Sequence, residues 1–136
     1  MAKYPYKILP TSPSGQVYKP LIPVILSLKK THKITTGIYA LIDSGADVCF
    51  CTMDIGLWLG INFKNKKSIY FTAANNKEFE TKKEIIKLHV GGKIYDCPFY
   101  FSKELPPTSP VILGQIGFFD RFKISFDLQN REFEVS

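Results

Sequence analysis

The segment Ile38-Tyr39-Ala40-Leu41-Ile42-Asp43-Ser44-Gly45-Ala46-Asp47 drives an apolar run into a carboxylate, and a hydroxyl and a glycine follow at once. A strand that ends this way parks Asp43 at the margin of a core, with Ser44 and Gly45 supplying short donors around it. A carboxylate in such a loop can take a proton from water or return one to a substrate. The plain alternative is a turn aspartate that caps neighbouring amides. The chain carries this loop once, so chemistry that needs a pair of such carboxylates needs a second copy of the chain.

Other chemistries find less support. The cysteines, Cys49, Cys51 and Cys97, are odd in number and have no Cys-x-x-Cys spacing, and His32 and His89 lie far from them in sequence. No metal site is expected; the cysteines read as buried, reduced, small apolar residues. The net charge of +6 comes almost wholly from lysine, with Arg121 and Arg131 as the arginines. Nucleic-acid readers favour the guanidinium fork, and the lysines here are scattered in short clusters, so no nucleic acid is expected as a partner. The longest apolar candidate, Leu21 to Leu28, is too short to cross a bilayer and contains Pro23, so no membrane partner is expected either. The segment from Met1 to Tyr6 lacks the apolar stretch of a signal peptide, which makes a cytoplasmic location the expectation.

A length of 136 residues fits one domain, and 14% aromatic content favours strands. Residues 1–20 hold Pro5, Pro10, Pro13 and Pro20 and read as an extended arm without a regular strand; residues 21–136 read as the domain. Candidate strands are Leu21 to Leu28, Gly37 to Ile42, Val48 to Cys51, Ser68 to Ala73, Glu78 to Val90, Lys93 to Phe101, Val111 to Leu113, Phe122 to Phe126 and Phe133 to Val135. Asn75-Asn76, Gly91-Gly92 and Gln129-Asn130 mark turns between them. Pro98 suggests a bulge or an edge. One short helix is expected, with Thr52 as its N-cap, Ile55, Trp58 and Leu59 packed on the core, and Gly60 ending it in the left-handed conformation. His32 and His89 read as solvent-facing, and Asp120 and Asp127 as structural. Many short strands at regular spacing make an all-β, closed, barrel-like fold the expectation.

The run Leu41-Ile42-Asp43-Ser44-Gly45-Ala46-Asp47 resembles the Asp-Ser/Thr-Gly-Ala element of aspartic peptidases. Downstream, Val111-Ile112-Leu113-Gly114 resembles the second, glycine-ended element of the retropepsins, the half-size homodimeric members. The continuation from Gln115 to Asp127, and Leu59-Gly60-Ile61 after the helix, look like the cellular retropepsin-like proteins. The similarity spans roughly Leu21 to Val135.

This resemblance implies half an active site per chain, in an aspartic endopeptidase that hydrolyses peptide bonds with a water held between two Asp43 carboxylates sharing one proton. It implies a homodimer, a peptide or protein substrate bound as an extended strand, and no cofactor. Asp43, Ser44 and Gly45 take the catalytic positions, with Ser44 bonding across to the partner loop and Gly45 avoiding a clash where two loops meet. Ala46 and Asp47 take substrate-binding positions, Val111 and Ile112 wall side-chain pockets, and Ala74 and Asn75 form the tip of a flap. The usual basic helper of Asp47 is replaced by Gln115, with Arg121 a candidate substitute; the flap tip also lacks the usual glycines. The alternative is a catalytically weak or inactive module on the same fold that binds peptide or dimerises.

Overall fold

Period-two alternation of apolar side chains builds the inner wall of the fold. The computed structural model describes residues 2–9, 13 and 15–136. Its strands are β1 (Ala2–Pro5), β2 (Lys7–Leu9), β3 (Val17–Lys19), β4 (Leu21–Leu28), β5 (Lys33–Ile34), β6 (Ile38–Ile42) and β7 (Cys49–Thr52), followed by the helix α1 (Met53–Trp58). Then come β8 (Ser68–Thr72), β9 (Glu78–Val90), β10 (Lys93–Ser102), β11 (Val111–Leu113), β12 (Ile124–Asp127) and β13 (Glu132–Val135). The order β4-β6-β11-β7-β10-β9 closes because β9 also pairs with β4, with Ile25 opposite His89. Six strands thus make a closed barrel, in agreement with the all-β expectation. The short β5 and the hairpin arm β8 extend from it.

Alternate residues of β4, β6, β9, β10 and β11 turn inward. Ile22, Val24 and Leu26 of β4, Leu113 of β11, Leu88 of β9 and Phe99 of β10 are all at most 1% exposed. Each such side chain contributes about 1.5–3 kcal/mol through removal from water. Cys49, Cys51 and Cys97 are buried and unpaired. Burial pushes the Cys51 thiol up to about 12, so it stays protonated at neutral pH and packs as a small apolar group.

The helix is short because glycine stops it. The Gly60 N–H donates to the Leu57 carbonyl (2.9 Å) and the Ile61 N–H to the Gly56 carbonyl (3.0 Å), with Gly60 at φ +90°, which is the Schellman arrangement. Thr52 is the N-cap residue by backbone conformation, yet its side chain makes no capping bond. The sequence reading holds for Leu59 and for the half-buried Ile55, but not for Trp58. Met53, Gly56 and Leu59 pack inward, whereas Trp58 is 54% exposed. Spacing of i, i+3, i+6 selects that face, and the turn to αL after Leu59 leaves Trp58 outside, beneath the Lys33 ammonium at 5.7 Å.

A further difference lies in the N-terminal segment, whereas at Pro98 the structure selects the edge over the bulge. The segment expected to lack a regular strand contains β1, which pairs antiparallel with β13, Tyr4 stacking on Phe133 with ring centroids 5.5 Å apart. Pro5 ends that strand, where a missing N–H costs least. Residues 1, 10–12 and 14 of the expected arm lie outside the described residues. Pro98 makes no bulge, because the β9–β10 register runs unbroken from Lys93–Val90 to Phe101–Lys82. It sits just before Phe99, where pairing with β7 begins, so one side of β10 is an edge there. His89 is partly buried and bonds the Ser27 hydroxyl (2.9 Å), whereas His32 is an exposed turn residue.

A Cβ at Gly56 would lie 2.7 Å from Phe63 and 2.8 Å from Phe101. Gly56→Ala is expected to lower stability by about 1–3 kcal/mol despite its better helix propensity, read as a shift of the urea midpoint.

Candidate active site

Asp43 stands one residue past the end of β6, on the row that Tyr39 and Leu41 begin on the outer face of the barrel. Its N–H donates to the Leu113 carbonyl (3.0 Å), which extends the parallel pairing of β6 with β11 by one rung. Its carbonyl accepts from the Ala46 N–H (3.1 Å), and its Oδ1 accepts from the Gly45 N–H (2.9 Å). The carboxylate is therefore aimed by two bonds from short-range neighbours and one to the paired strand. Oδ2 has no partner among the described residues, and the loop around it is open, with Ser44, Gly45 and Asp47 exposed.

A second loop holds the first. The Gln115 N–H donates to the Ala46 carbonyl (2.9 Å), the Ile116 N–H to the Asp47 carbonyl (2.9 Å), and Val48 bridges Ile116. The Gln115 side-chain amide donates to the Ser44 carbonyl (2.8 Å). Such an approach leaves no room for a side chain at Gly114, where a Cβ would sit 2.1 Å from the Val48 carbonyl oxygen and 2.7 Å from that of Ala46. Within one chain the loop-to-loop clash thus falls on Gly114. At Gly45 a Cβ would meet the Asp43 Oδ1 at 3.2 Å. Arg121 does not reach Asp47 as a helper; its guanidinium lies over the Tyr95 ring at 4.7 Å.

The paired residues of β11 point opposite ways. Val111 is 2% exposed and belongs to the core, while Ile112 is half-buried on the outer side, opposite Leu41 and Phe50. Next to Leu41 an apolar cavity of about 580 Å³ opens between Leu9, Tyr39 and Pro110, with Val111 at its margin.

The hairpin of β8 and β9 packs against Phe50, the residue that lies opposite Ile112. Its tip is closed by the Ala73 N–H to the Lys77 carbonyl (2.8 Å), the Asn76 N–H to the Ala73 carbonyl (2.9 Å), and the Asn75 side chain accepting from the Lys77 N–H (3.0 Å). Asn76 takes the left-handed position at φ +62°, the role glycine often fills. Ala74 and Asn75 are exposed at the tip. The stem is fixed by aromatics that sequence reading passed over. Phe71 and Phe79 face each other across the hairpin, and both pack on Phe50, at 5.2 and 5.4 Å between centroids, with Tyr100 5.1 Å from Phe71. Their alternation around the Asn75-Asn76 turn was a usable signal; the contact with Phe50 across the sheet was not.

No family model and no curated protein sequence matches the chain. Solved structures do. A retropepsin-like aspartic protease from Rickettsia conorii aligns over 98% of this chain and 98% of its own, at 16% identity and a TM-score of 0.61. The retroviral protease-like domain of Ddi1 from Leishmania major covers 88% of this chain and 90% of its own, at 14% identity and 0.57. The EIAV protease, solved with the inhibitor HBY-793, covers 71% of this chain and 82% of its own, at 18% identity and 0.53. The chain has the retropepsin fold.

Gly114→Ala is expected to cost about 3 kcal/mol or more, because two backbone carbonyls block the methyl and neither can retreat without breaking the paired loops. Chemical denaturation measures this directly.

Proposed function

We propose that the chain is one half of an aspartic endopeptidase, completed when two copies bring their Asp43 loops together about a two-fold axis. The observation that carries this reading is the state of Asp43, held by the Leu113 carbonyl and the Gly45 N–H, with one carboxylate oxygen left open on an exposed loop of a retropepsin fold.

Two carboxylates at hydrogen-bond range cannot both ionise cheaply, so the pair holds one proton. The ionised member takes a proton from a water lodged between them as that water attacks the scissile carbonyl carbon. The protonated member gives its proton to the carbonyl oxygen. Collapse of the tetrahedral intermediate breaks the C–N bond and returns a proton to the amine. Rigidity of the loops supplies the preorganisation, and no metal or organic cofactor is needed. The Ser44 hydroxyl is assigned to the partner's loop, and Gly45 to close passage of the two loops. Ala46 and Asp47 bond the main chain of an extended peptide, Ile112 walls a side-chain pocket with Val111 behind it, and Ala74 and Asn75 close over the bound strand.

Asp43→Asn keeps the shape and hydrogen bonds of the loop while removing the shared proton. Cleavage of a mixed peptide library is expected to drop about a thousandfold or more, with an unchanged melting temperature and unchanged dimer mass. Peptide hydrolysis that survives this substitution contradicts the proposal. Retained peptide binding with no product from the unmutated chain would instead identify a peptide-gripping module.

A further inference from the structure

The sheet β1-β13-β12 has two outer edges, and they are not equivalent. Just before β12, Lys123 exchanges both main-chain bonds with Ser136 (2.9 and 3.0 Å), so the alternation of an antiparallel ladder points the groups of Ser125 and Asp127 at β13 as well. The N–H and C=O groups of Ile124 and Phe126 therefore point away from β13, along an edge that no strand covers among the described residues. On β1 the Tyr6 N–H donates to the Arg131 carbonyl (2.9 Å), which by the same alternation leaves Lys3 and Pro5 to face outward. Proline has no donor and lysine is a usual edge guard, so β1 is blunted. On the β12 edge the outward-facing positions are Ile124 and Phe126, neither a lysine nor a proline, and Phe126 is 46% exposed.

We infer that β12 pairs antiparallel with β12 of a second copy, with the dyad at Ser125, and that this contact assembles the dimer. The inference rests on the peptidase reading for its need of a second Asp43. The occupant is a second copy because Lys123-Ile124-Ser125-Phe126-Asp127 is its own complement when reversed. With the dyad at Ser125, Lys123 of each copy meets Asp127 of the other. Ile124 meets Phe126 of the other copy, and their outward main-chain groups bond each other. Moving the dyad to Ile124 sets Lys123 opposite a serine, and moving it to Phe126 sets Lys123 opposite a glutamine, so charge selects the register. Asp127 also lies directly across from Glu132, a like-charge pair whose cation within the chain is Lys3, 3.8 Å from Glu132. The Lys123 ammonium from the other copy supplies a second cation where two carboxylates crowd. Phe126 closes over Ile124 of its partner, which already packs against the core. The result is a continuous six-stranded sheet that does not interleave the chain ends, because β13 is already enclosed between β1 and β12 of its own chain.

Two variants test the register. Ser125→Cys places two thiols across the dyad at a Cα separation of about 4.5 Å, within disulfide range, so mild oxidation is expected to yield a covalent dimer on a non-reducing gel. Glu134→Cys, one strand further from the dyad, is expected to yield none. Lys123→Glu and Asp127→Lys, each alone, set like charges opposite one another, and each is expected to weaken dimerisation about tenfold by sedimentation. Mixed in equal amounts, the two restore it, because both contacts of the mixed dimer then pair opposite charges. An unmutated chain that stays monomeric at high concentration, or a dimer indifferent to both charge variants with no Ser125→Cys cross-link, overturns this interface. A dimer that behaves as stated but cleaves no peptide supports the interface and removes the peptidase reading alone.

Discussion

The structure depends on how closely two loops can pass. Gly114 lets the backbone after β11 approach the backbone after Asp43 so that the Ala46 and Asp47 carbonyls both find donors on the second loop. Buried or half-buried main-chain groups must be paired, and here the pairing itself aims the carboxylate. The parallel rung between Asp43 and Leu113 transmits the position of the barrel wall to the candidate site, so Asp43 is as fixed as the sheet beneath it. Gln115 adds a side-chain bond to the Ser44 carbonyl, which stiffens the same loop from the other side.

A loop so well held and so exposed makes physical sense as a surface completed by another surface. Nothing within the described residues covers Ser44 or Gly45, and the aromatic stem of the β8–β9 hairpin is packed firmly while its tip is free. In the proposed dimer the rigid elements are those near the carboxylates and the compliant element is the hairpin tip. That division suits hydrolysis, which needs fixed charges and a lid that opens for product.

Much of this was legible from local pattern. The apolar run into Asp43-Ser44-Gly45, the apolar run into Gly114, the turns at Asn75-Asn76 and Gly91-Gly92, and the stop at Gly60 all depend on neighbours a few residues apart. What local pattern missed depends on contacts distant in sequence. Trp58 reads as core on any helical wheel, yet the face that packs is chosen by Phe63 and Phe101, which need a glycine at position 56. The β1 strand follows from Tyr4 stacking on Phe133, near the opposite end of the chain. Arg121 offered the right charge for Asp47, but the ring of Tyr95 claims it. The bareness of the β12 edge appears only once β13 is seen to turn its other side to β1.

A site shared between two chains has a signature in mixtures that no single-chain site can imitate. Unmutated chain and Asp43→Asn chain would be combined in varying proportion at constant total concentration, equilibrated, and assayed for peptide cleavage. If every working site needs an Asp43 from each of two copies, activity follows the square of the unmutated fraction and falls to about a quarter in an equal mixture. A linear decline, leaving about half, would mean that one chain carries the whole site and would contradict the account.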